Sequence, residues 1–293
     1  MNIAAIVVNY NSRRFIFDCI DSLLAQTLPF QRIIVVDNAS TDGSRERLRG
    51  ISRIELLMNS HNEGFAVANN KALRMTAGCH VLCCNSDITL ELDFLEKSAP
   101  HFDTNPLIGM ITGKILRFDR RTIDSTGQFL SASRWPRERG FGEVDTGRYD
   151  HNEYVFSVCG ACALYRREMI QELSHDGDFF DSRYFAFYED LDVGWRAQRA
   201  GWRAYYVPVA RAYHFRGGSS GSGRFSFARK SPEIRFHILK NRYLTMMKND
   251  TLAGFLLHFP AILAKDVGLL GYTALRSPRV LWRLAAYFCH LRR

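Results

Sequence analysis

The sequence lacks both of the common glycine-rich phosphate-binding motifs. No GxGxxG follows the first predicted strand, where the chain instead reads Asn9-Tyr10-Asn11-Ser12, and no GxxxxGK[ST] occurs anywhere. These absences exclude a dinucleotide-binding fingerprint and a P-loop, since both depend on glycines that let the backbone approach a phosphate. A nucleotide site in this chain would therefore have to use polar side chains.

Long apolar runs and paired cysteines are also missing. No run reaches the roughly 18–20 apolar residues that a spanning helix needs, and the N-terminal MNIAAIVVNYNS lacks the basic segment of a signal peptide. The seven cysteines are odd in number, which is typical of reduced core thiols rather than a disulfide framework. Cys159 and Cys162 have CxxC spacing without a second pair, so a zinc or redox role is disfavoured.

Acidic residues are scarce in the C-terminal part of the chain. Residues 224–293 carry 13 Lys and Arg against 3 Asp and Glu, a net charge of +10, whereas residues 1–223 carry 26 against 27, a net charge of −1. A basic tail needs an anionic partner, either nucleic acid or a lipid surface. Because Arg alternates here with aliphatic runs rather than with exposed stacking aromatics, the pattern favours an anionic membrane over nucleic acid.

The apolar pieces of this tail are too short to span a bilayer, the longest being LAGFLLHFPAILA with 13 residues. They predict helices that lie in the membrane interface. Packing on the rest of the chain, or contacts within a homo-oligomer, is the alternative. The basic residues expected to meet anionic headgroups are Lys240, Arg242, Lys248, Arg276, Arg279 and Arg283.

Short apolar runs alternate with helical patterns through the first half of the chain. Such alternation predicts an α/β fold, a Rossmann-like and mostly parallel sheet flanked by helices, followed by a helical basic and apolar C-terminal extension. We expect one domain over residues 1–223, with a first half to about residue 115 and a second half over 116–223, and a helical segment over 224–293. Residues 117–153 are polar and irregular, which predicts an active-site flap or disorder.

Polar side chains follow the predicted strands at the edge where open α/β sheets bind ligands. Asn9 and Asp37 end the first two strands, and Asn85 and Asp87 follow the apolar run Val81–Cys84. Asn-Ser-Asp is also ordinary turn composition, so a structural role stays open for this tripeptide.

A second polar cluster, Glu189-Asp190-Leu191-Asp192, begins a predicted helix after a stretch rich in Phe and Tyr. Carboxylates at a helix start are favoured by the macrodipole, and this capping role fits Asp192 best. Aromatic surroundings tend to raise a carboxylate pKa toward the range useful for a general base, which points to Glu189 and Asp190. His214 follows the last predicted strand, and its neutral imidazole would suit an ion such as Mn²⁺.

Five motifs in order carry a family resemblance over about residues 3–216: IVVNYN, VDNASTDGS, NEGFAVANNKAL, LCCNSD and YEDLDVGWRAQRAGW. Together they resemble the family 2 glycosyltransferases of the GT-A fold, and among these the bacterial rhamnosyltransferases of cell-surface polysaccharide assembly. The resemblance implies a nucleotide-sugar donor, a divalent cation (Mg²⁺ or Mn²⁺), and inversion at the anomeric carbon.

The resemblance also implies that residues 1–223 form the catalytic domain, with a nucleotide-binding half to about residue 115 and an acceptor and catalytic half over 116–223. It further implies roles for individual residues. Asp37 would contact the base or ribose, and Asn9 and Asn62 would line the same pocket. Asp87 matches the last position of the DxD motif that holds metal and diphosphate. The first position of that motif is occupied here by Asn85, which leaves one carboxylate fewer for the metal. Glu189-Asp190 matches the ED motif, with Asp190 as the catalytic base. The position of His214 resembles that of a metal-binding histidine.

The function implied is transfer of a sugar from dTDP-rhamnose, or from another dTDP- or UDP-sugar, to a hydroxyl of a lipid-linked saccharide. The enzyme would be cytoplasmic, peripheral on the inner face of the cytoplasmic membrane. Two alternatives come from other classes. One is a non-catalytic nucleotide-sugar-binding protein on the same fold, and the other, less favoured, is a basic nucleic-acid-binding protein.

Overall fold

The structure is a computed structural model that describes residues 1–216 and 226–291. The domain boundary expected at residue 223 lies outside these residues and stays a prediction. In chain order the elements are β1 (Ile3–Asn9), α1 (Ile16–Leu24), β2 (Arg32–Asp37), α2 (Ser44–Leu48), β3 (Glu55–Met58), α3 (Phe65–Leu73), β4 (His80–Asn85), β5 (Ile88–Leu90), α4 (Phe94–Ser98), α5 (His101–Thr104), β6 (Ile108–Arg117), β7 (Ile123–Ser125), β8 (Gln128–Leu130), β9 (Pro136–Glu138), β10 (Glu153–Val155), β11 (Cys162–Tyr165), α6 (Arg167–Leu173), α7 (Glu189–Arg199), β12 (Arg203–His214), α8 (Pro232–Asn249), α9 (Leu252–Arg276) and α10 (Pro278–Leu291).

The central sheet has the strand order β10-β12-β6-β11-β4-β1-β2-β3. Strands β4, β1, β2 and β3 are all parallel, and β12 runs parallel to β6. The antiparallel strand β11 joins these two parts by pairing with both β4 and β6. The predicted α/β fold with a mostly parallel central sheet flanked by helices is therefore confirmed.

The side chains of alternate residues in the central strands lie in two apolar layers, one on each face of the sheet. In β1, Ile6 belongs to the apolar layer that includes residues of α3, α6 and α7, whereas Ala5 and Val7 belong to the layer that includes residues of α1 and α4. A strand that is covered on both faces is apolar throughout, as β1 is. This burial explains why the strands could be recognised as continuous apolar runs.

The prediction that residues 117–153 are irregular holds for their turns and loops but misses three short strands. They contain β7 and the antiparallel pair β8–β9, here called the β8–β9 hairpin, in which Gln128 pairs with Glu138. Each strand has only three residues, which is too short for a clear alternation of polar and apolar side chains.

Helix α8 does not present its basic face to solvent, contrary to the expectation for an interfacial helix. Lys240 and Arg242 are only 4% and 0% exposed. Arg242 pairs with Asp266 of α9 at 2.8 Å, and Lys248 pairs with Asp181 and Asp192 of the catalytic domain. Arg283 also pairs with Glu233. Of the six basic residues, these four are therefore engaged within the protein.

Helix α9 joins the two apolar pieces of the tail into one helix of 25 residues, with Pro260 inside it. Within the described ranges, α9 alone is long and apolar enough to cross a membrane, judged by length and composition only. The prediction that no segment reaches this length is wrong. It fails because Lys265 and Asp266 interrupt the apolar run without interrupting the helix: Asp266 pairs with Arg242, and the Lys265 ammonium lies 4.4 Å from the Trp135 ring centroid.

Candidate active site

Parallel pairing brings the predicted strand-end residues to one edge of the sheet. Asn9 is in register with Asp37 on one side, and its neighbour Val8 is in register with Asn85 on the other. Asp87 follows two residues after Asn85. The structure therefore places Asn9, Asp37, Asn85 and Asp87 together, although they are up to 78 positions apart in the chain.

Asn9 and Asp37 form a buried pair at this edge. The Asn9 amide donates to Oδ2 of Asp37 at 2.8 Å, and Oδ1 of Asp37 accepts from the backbone N–H of Ser40 at 3.1 Å. Both residues are 0% exposed, and among the described residues Oδ1 of Asn9 has no hydrogen-bond partner. The Asn9–Asp37 pair therefore holds the loop that follows β2 in place through the backbone of Ser40.

Asn62 organises the neighbouring loop through its side-chain oxygen. This Oδ1 accepts from the amide of Asn38 and from the backbone N–H of Gly64, both at 2.9 Å. Gly64 has φ +84°, and a Cβ there would lie 2.5 Å from the carbonyl oxygen of Phe185. Only glycine fits this close approach, which joins the Asn62 loop to the segment that leads into Glu189 and Asp190.

Antiparallel pairing of β5 with β12 brings His214 beside Asp87. His214 is paired with Ile88, and the backbone N–H of Phe215 donates to the carbonyl of Asp87 at 3.0 Å. As a result, Nε2 of His214 lies 3.2 Å from Oδ1 of Asp87. The two residues predicted to bind metal are therefore adjacent.

Asp124 of β7 is a member of this cluster that sequence reasoning missed. Its Oδ2 lies 2.8 Å from Nδ1 of His214, and its Oδ1 pairs with Arg216. Burial alone would raise the pKa of Asp124, but the hydrogen bond from His214 and the nearby positive charges outweigh it and leave that pKa lowered. Burial alone would lower the pKa of His214, whereas its hydrogen bonds to Asp124 and Asp87 raise it to about 9. A carboxylate on Nδ1 fixes the ring so that Nε2 faces Asp87.

The Asp87–His214 pair fits a divalent cation that also binds phosphate. Mg²⁺ in proteins is held by one or two carboxylates together with substrate phosphates and water, and imidazole suits transition-metal ions. Across residues 1–216 and 226–291, no group of three or more His, Cys, Asp or Glu is arranged to hold a metal. Phosphate oxygens of a ligand, together with water, would therefore complete the coordination of a cation bound here.

Helix α7 places Glu189 and Asp190 at its first turn. The two preceding residues, Phe187 and Tyr188, have φ values of 71° and 73°, a left-handed conformation that costs energy in residues with a bulky side chain. The amide of Asn241 on α8 donates to the carbonyls of Ala186 and Phe187 at 2.8 and 2.7 Å. The C-terminal segment therefore helps to hold the turn that presents both carboxylates.

Three donors surround the carboxylate of Asp190. Oδ2 accepts from the amide of Gln128 at 2.7 Å and from the backbone N–H of Gly160 at 2.9 Å, and Oδ1 accepts from the N–H of Leu191 at 2.8 Å. Burial raises the pKa of Asp190 more than these hydrogen bonds lower it. Burial, followed by repulsion from Asp190, also raises the pKa of Glu189. A carboxyl with a raised pKa accepts a proton more readily, as a general base must.

Gln128 and Glu138 of the β8–β9 hairpin are further site residues that sequence reasoning missed. The Gln128 amide that donates to Asp190 also donates to Oε1 of Glu138 at 2.8 Å. Burial, followed by repulsion from Asp190, raises the pKa of Glu138 to about 7. The segment that contains Gln128 and Glu138 has many polar residues and no motif. Only their long-range contacts in the folded chain distinguish these two from the others.

Short hydrogen-bonded routes link the Asp87–His214 pair to the Glu189–Asp190 pair. The backbone N–H of Asn85 donates to Ala161 at 2.9 Å, and the next residue back, Gly160, donates to Asp190. A second route leads through β7, where Asp124 contacts His214 while Ser125 donates to Glu138. Backbone and side-chain hydrogen bonds therefore connect the surroundings of Asp87 and His214 with those of Asp190.

Comparison with known proteins is in line with this arrangement. A family model described as "Glycosyl transferase family 2" matches residues 4–174. A Mycobacterium tuberculosis protein named N-acetylglucosaminyl-diphospho-decaprenol L-rhamnosyltransferase is 26% identical over 215 residues, covering 64% of this chain and 68% of that protein. Other curated relatives are matched over 39% and 44% of their lengths, so the chain spans less than half of those proteins.

Solved structures share the fold at low sequence identity. S. aureus TarS residues 1–349 in complex with UDP-GlcNAc align with a TM-score of 0.60 at 18% identity, covering 94% of this chain and 74% of that one. The mannosyltransferase PcManGT from Pyrobaculum calidifontis, in complex with GDP-Man and Mn²⁺, aligns with a TM-score of 0.58 at 18% identity, covering 100% and 81%. The architecture is thus the GT-A fold, and because the family model covers more than half of the chain, this protein belongs to the family 2 glycosyltransferases.

Proposed function

We propose that this chain is an inverting, metal-dependent glycosyltransferase that moves rhamnose from dTDP-rhamnose to a hydroxyl of a lipid-linked saccharide in cell-surface polysaccharide assembly. The observation that carries the proposal is the short backbone route between the two functional pairs. Asn85, two residues before Asp87, bonds to Ala161, and the adjacent Gly160 bonds to Asp190. A donor diphosphate at Asp87 would thus have its sugar near the carboxylate of Asp190.

The donor would lie across the strand ends. Asn9 and Asp37 would support the nucleoside from the end of β1 and β2, with Asn62 in the next loop and Asn85 beside the diphosphate. UDP-GlcNAc and GDP-Man in the named structural neighbours support a nucleotide sugar. The M. tuberculosis relative's name supports rhamnose, and another dTDP- or UDP-sugar is the alternative donor.

Asp87 and His214 would hold Mg²⁺ or Mn²⁺, which supplies Lewis-acid stabilisation of the charge on the leaving diphosphate. Mn²⁺ is named in the complexes of two structural neighbours. Within the chain itself, Asp124 keeps the His214 ring in place through Nδ1.

Asp190 would act as the general base. As the acceptor oxygen forms its bond to the anomeric carbon from the face opposite the diphosphate, the O–H proton passes to the carboxylate of Asp190. The bond between the anomeric carbon and the diphosphate breaks, and its electron pair leaves with the nucleoside diphosphate. Configuration is inverted because attack and departure occur on opposite faces. Glu189, enclosed at 9% exposure, would support Asp190 from the same turn.

Helix α9 would attach the enzyme to the membrane surface where a lipid-linked acceptor is found. Its outward residues are apolar, with Leu252, Leu257 and Val267 exposed by 76%, 76% and 64%, while Lys265 and Asp266 face the domain. Because Ile262 and Thr273 are buried against the protein, the helix lies along the domain rather than standing free of it. This orientation favours an interfacial helix over a spanning one, with Arg276 and Arg279 at the headgroups.

The decisive experiment measures transfer and hydrolysis with a panel of dTDP-, UDP- and GDP-sugars in the presence of Mn²⁺. We expect turnover with dTDP-rhamnose, and we expect Asp190→Asn to lower kcat by about 10²–10⁴-fold, the usual contribution of a general base. Asp176→Asn is the matched control, because Asp176 is an exposed aspartate in a surface turn. Binding of a nucleotide sugar without turnover would favour the non-catalytic alternative. Near-normal turnover of Asp190→Asn would exclude Asp190 as the base.

A further inference from the structure

The β8–β9 hairpin reaches the candidate base from one side. Gln128, at the start of β8, is 4% exposed, and its Nε2 lies between two carboxylates, 2.7 Å from Oδ2 of Asp190 and 2.8 Å from Oε1 of Glu138. An amide nitrogen carries two protons, so one group can donate to both acids. The other amide atom, Oε1, is buried and has no hydrogen-bond partner among the described residues.

The tip of the same hairpin is fixed by the C-terminal helices. The guanidinium of Arg134 makes two bonds to Asp250, from Nε to Oδ2 at 2.7 Å and from Nη2 to Oδ1 at 3.0 Å. Arg242 of α8 donates to the carbonyl of Arg134 at 3.0 Å. The Trp135 ring packs edge-on against Tyr188, with centroids 6.3 Å apart, directly before Glu189. A bidentate pair restricts orientation more than a single hydrogen bond does.

We propose that Gln128 is a positioning residue for Asp190, holding its carboxylate from a hairpin whose tip is clamped by the C-terminal helices. The inference rests on the proposed function in taking Asp190 as the base. It adds a role that the ED motif does not contain, because Gln128 is 62 residues away in the chain.

The bridging amide has two physical consequences. It fixes the position of Oδ2, so that the carboxylate faces the acceptor in one orientation. It also joins the two acids, because the same Nε2 donates to Oε1 of Glu138. A hydrogen bond to the charged form of a carboxyl lowers its pKa. Removing Gln128 should therefore raise the pKa of Asp190.

This expected rise defines the test. The titration of Asp190 is followed by ¹³C NMR of protein labelled at the aspartate carboxyl carbons, with Asp190→Asn to assign the resonance. We expect the midpoint to move up by roughly one pH unit in Gln128→Ala. Gln198→Ala is the matched control: Gln198 also lies on α7 and donates to Phe156 at 2.8 Å, away from Asp190. It should leave the midpoint unchanged.

Turnover with dTDP-rhamnose is measured on the same variants. Gln128→Ala should lower kcat about tenfold or more with little change in the donor KM, because Gln128 does not belong to the donor pocket. An unmoved Asp190 midpoint in Gln128→Ala overturns the inference. Should that variant fail to fold, Gln128→Met decides, because it keeps the length of the side chain and has no N–H to donate: a midpoint at higher pH supports the inference, and an unmoved midpoint overturns it. Full turnover of Asp190→Asn would instead refute the proposed base, whatever the midpoints show.

Discussion

Gly160 donates its backbone N–H to Oδ2 of Asp190 at 2.9 Å, and a Cβ at position 160 would lie 3.0 Å from the Cβ of Asp190. The contact is closer than an alanine accepts without a shift of a few tenths of an ångström. Glycine is thus needed here for proximity rather than for an unusual backbone angle. The group that comes close to Gly160 is the side chain of the candidate base itself.

Gly160→Ala should therefore lower kcat by roughly tenfold while leaving donor binding intact, because a displaced carboxylate loses its alignment with the acceptor. Steady-state kinetics and calorimetric titration with the donor would measure the two effects. Gly268→Ala is the control, since a Cβ at Gly268 meets no atom of the described residues within 4 Å. Equal loss of activity in both variants would contradict this account of position 160.

Removal of divalent cations should abolish turnover. Asp87→Ala and His214→Ala should each weaken Mn²⁺-dependent donor binding, because each would remove one of the two protein ligands. The measurement is donor affinity with and without Mn²⁺, so that a loss confined to the Mn²⁺ condition identifies the metal. His151→Ala is a control, since His151 is an exposed histidine whose imidazole lies near Glu153. Full activity of the wild-type protein in excess EDTA would refute both assignments.

The buried carboxyl of Glu189 should make the protein less stable as pH rises. Burial and repulsion from Asp190 raise its pKa in the folded state, so the folded chain keeps a proton that the unfolded chain has lost. Where the unfolded state binds fewer protons, the free energy of unfolding falls with increasing pH. This loss begins as pH rises through the ordinary glutamate value and ends at the raised value.

Glu189→Gln should flatten this dependence, with a gain in unfolding free energy that grows by up to about 1.4 kcal/mol per pH unit within the window. Urea unfolding at several values between pH 5 and 8 would measure it. Glu46→Gln provides the reference, because Glu46 is an exposed glutamate outside the site. Parallel stability curves for Glu189→Gln and the wild type would contradict the raised pKa.

Polar substitution of the outward face of α9 should release the protein from anionic vesicles. Leu256 and Leu257 are 61% and 76% exposed, so the double change to Ser should cost little folding stability. Full burial of each leucine side chain contributes about 1.5–3 kcal/mol, and losing both should greatly reduce co-sedimentation with vesicles containing phosphatidylglycerol.

Two exposed apolar residues on the catalytic domain, Leu107 and Val209, provide the matched control, being 53% and 54% exposed. Their double change to Ser should leave vesicle binding as in the wild type. If the wild-type protein does not bind at low salt, the membrane assignment is wrong. Light scattering would then show whether α9 instead covers a second copy of the chain.

Local patterns were sufficient for the first half of the fold and for the residues at its strand ends. Strands β1, β2 and β4 are buried on both faces, so each is a continuous apolar run that ends abruptly in polar residues. Parallel strands end at one edge, and Asn9, Asp37, Asn85 and Asp87 could be grouped there before the structure was known. The roles of these residues in binding stay predictions.

Tertiary structure alone decided the rest. Asp124, Gln128 and Glu138 enter the site through strands of three residues whose sequence shows no period. Asp124 contacts His214, 90 residues away, and Gln128 contacts Asp190, 62 residues away, while Glu138 is bonded to Gln128. The sequence predicts that the charges of α8 form a headgroup-binding face. In the structure, Arg242 forms an ion pair with Asp266, and Lys248 forms ion pairs with Asp181 and Asp192. Composition records which charges a segment carries, but the long-range packing of the chain determines which of them remain exposed to solvent.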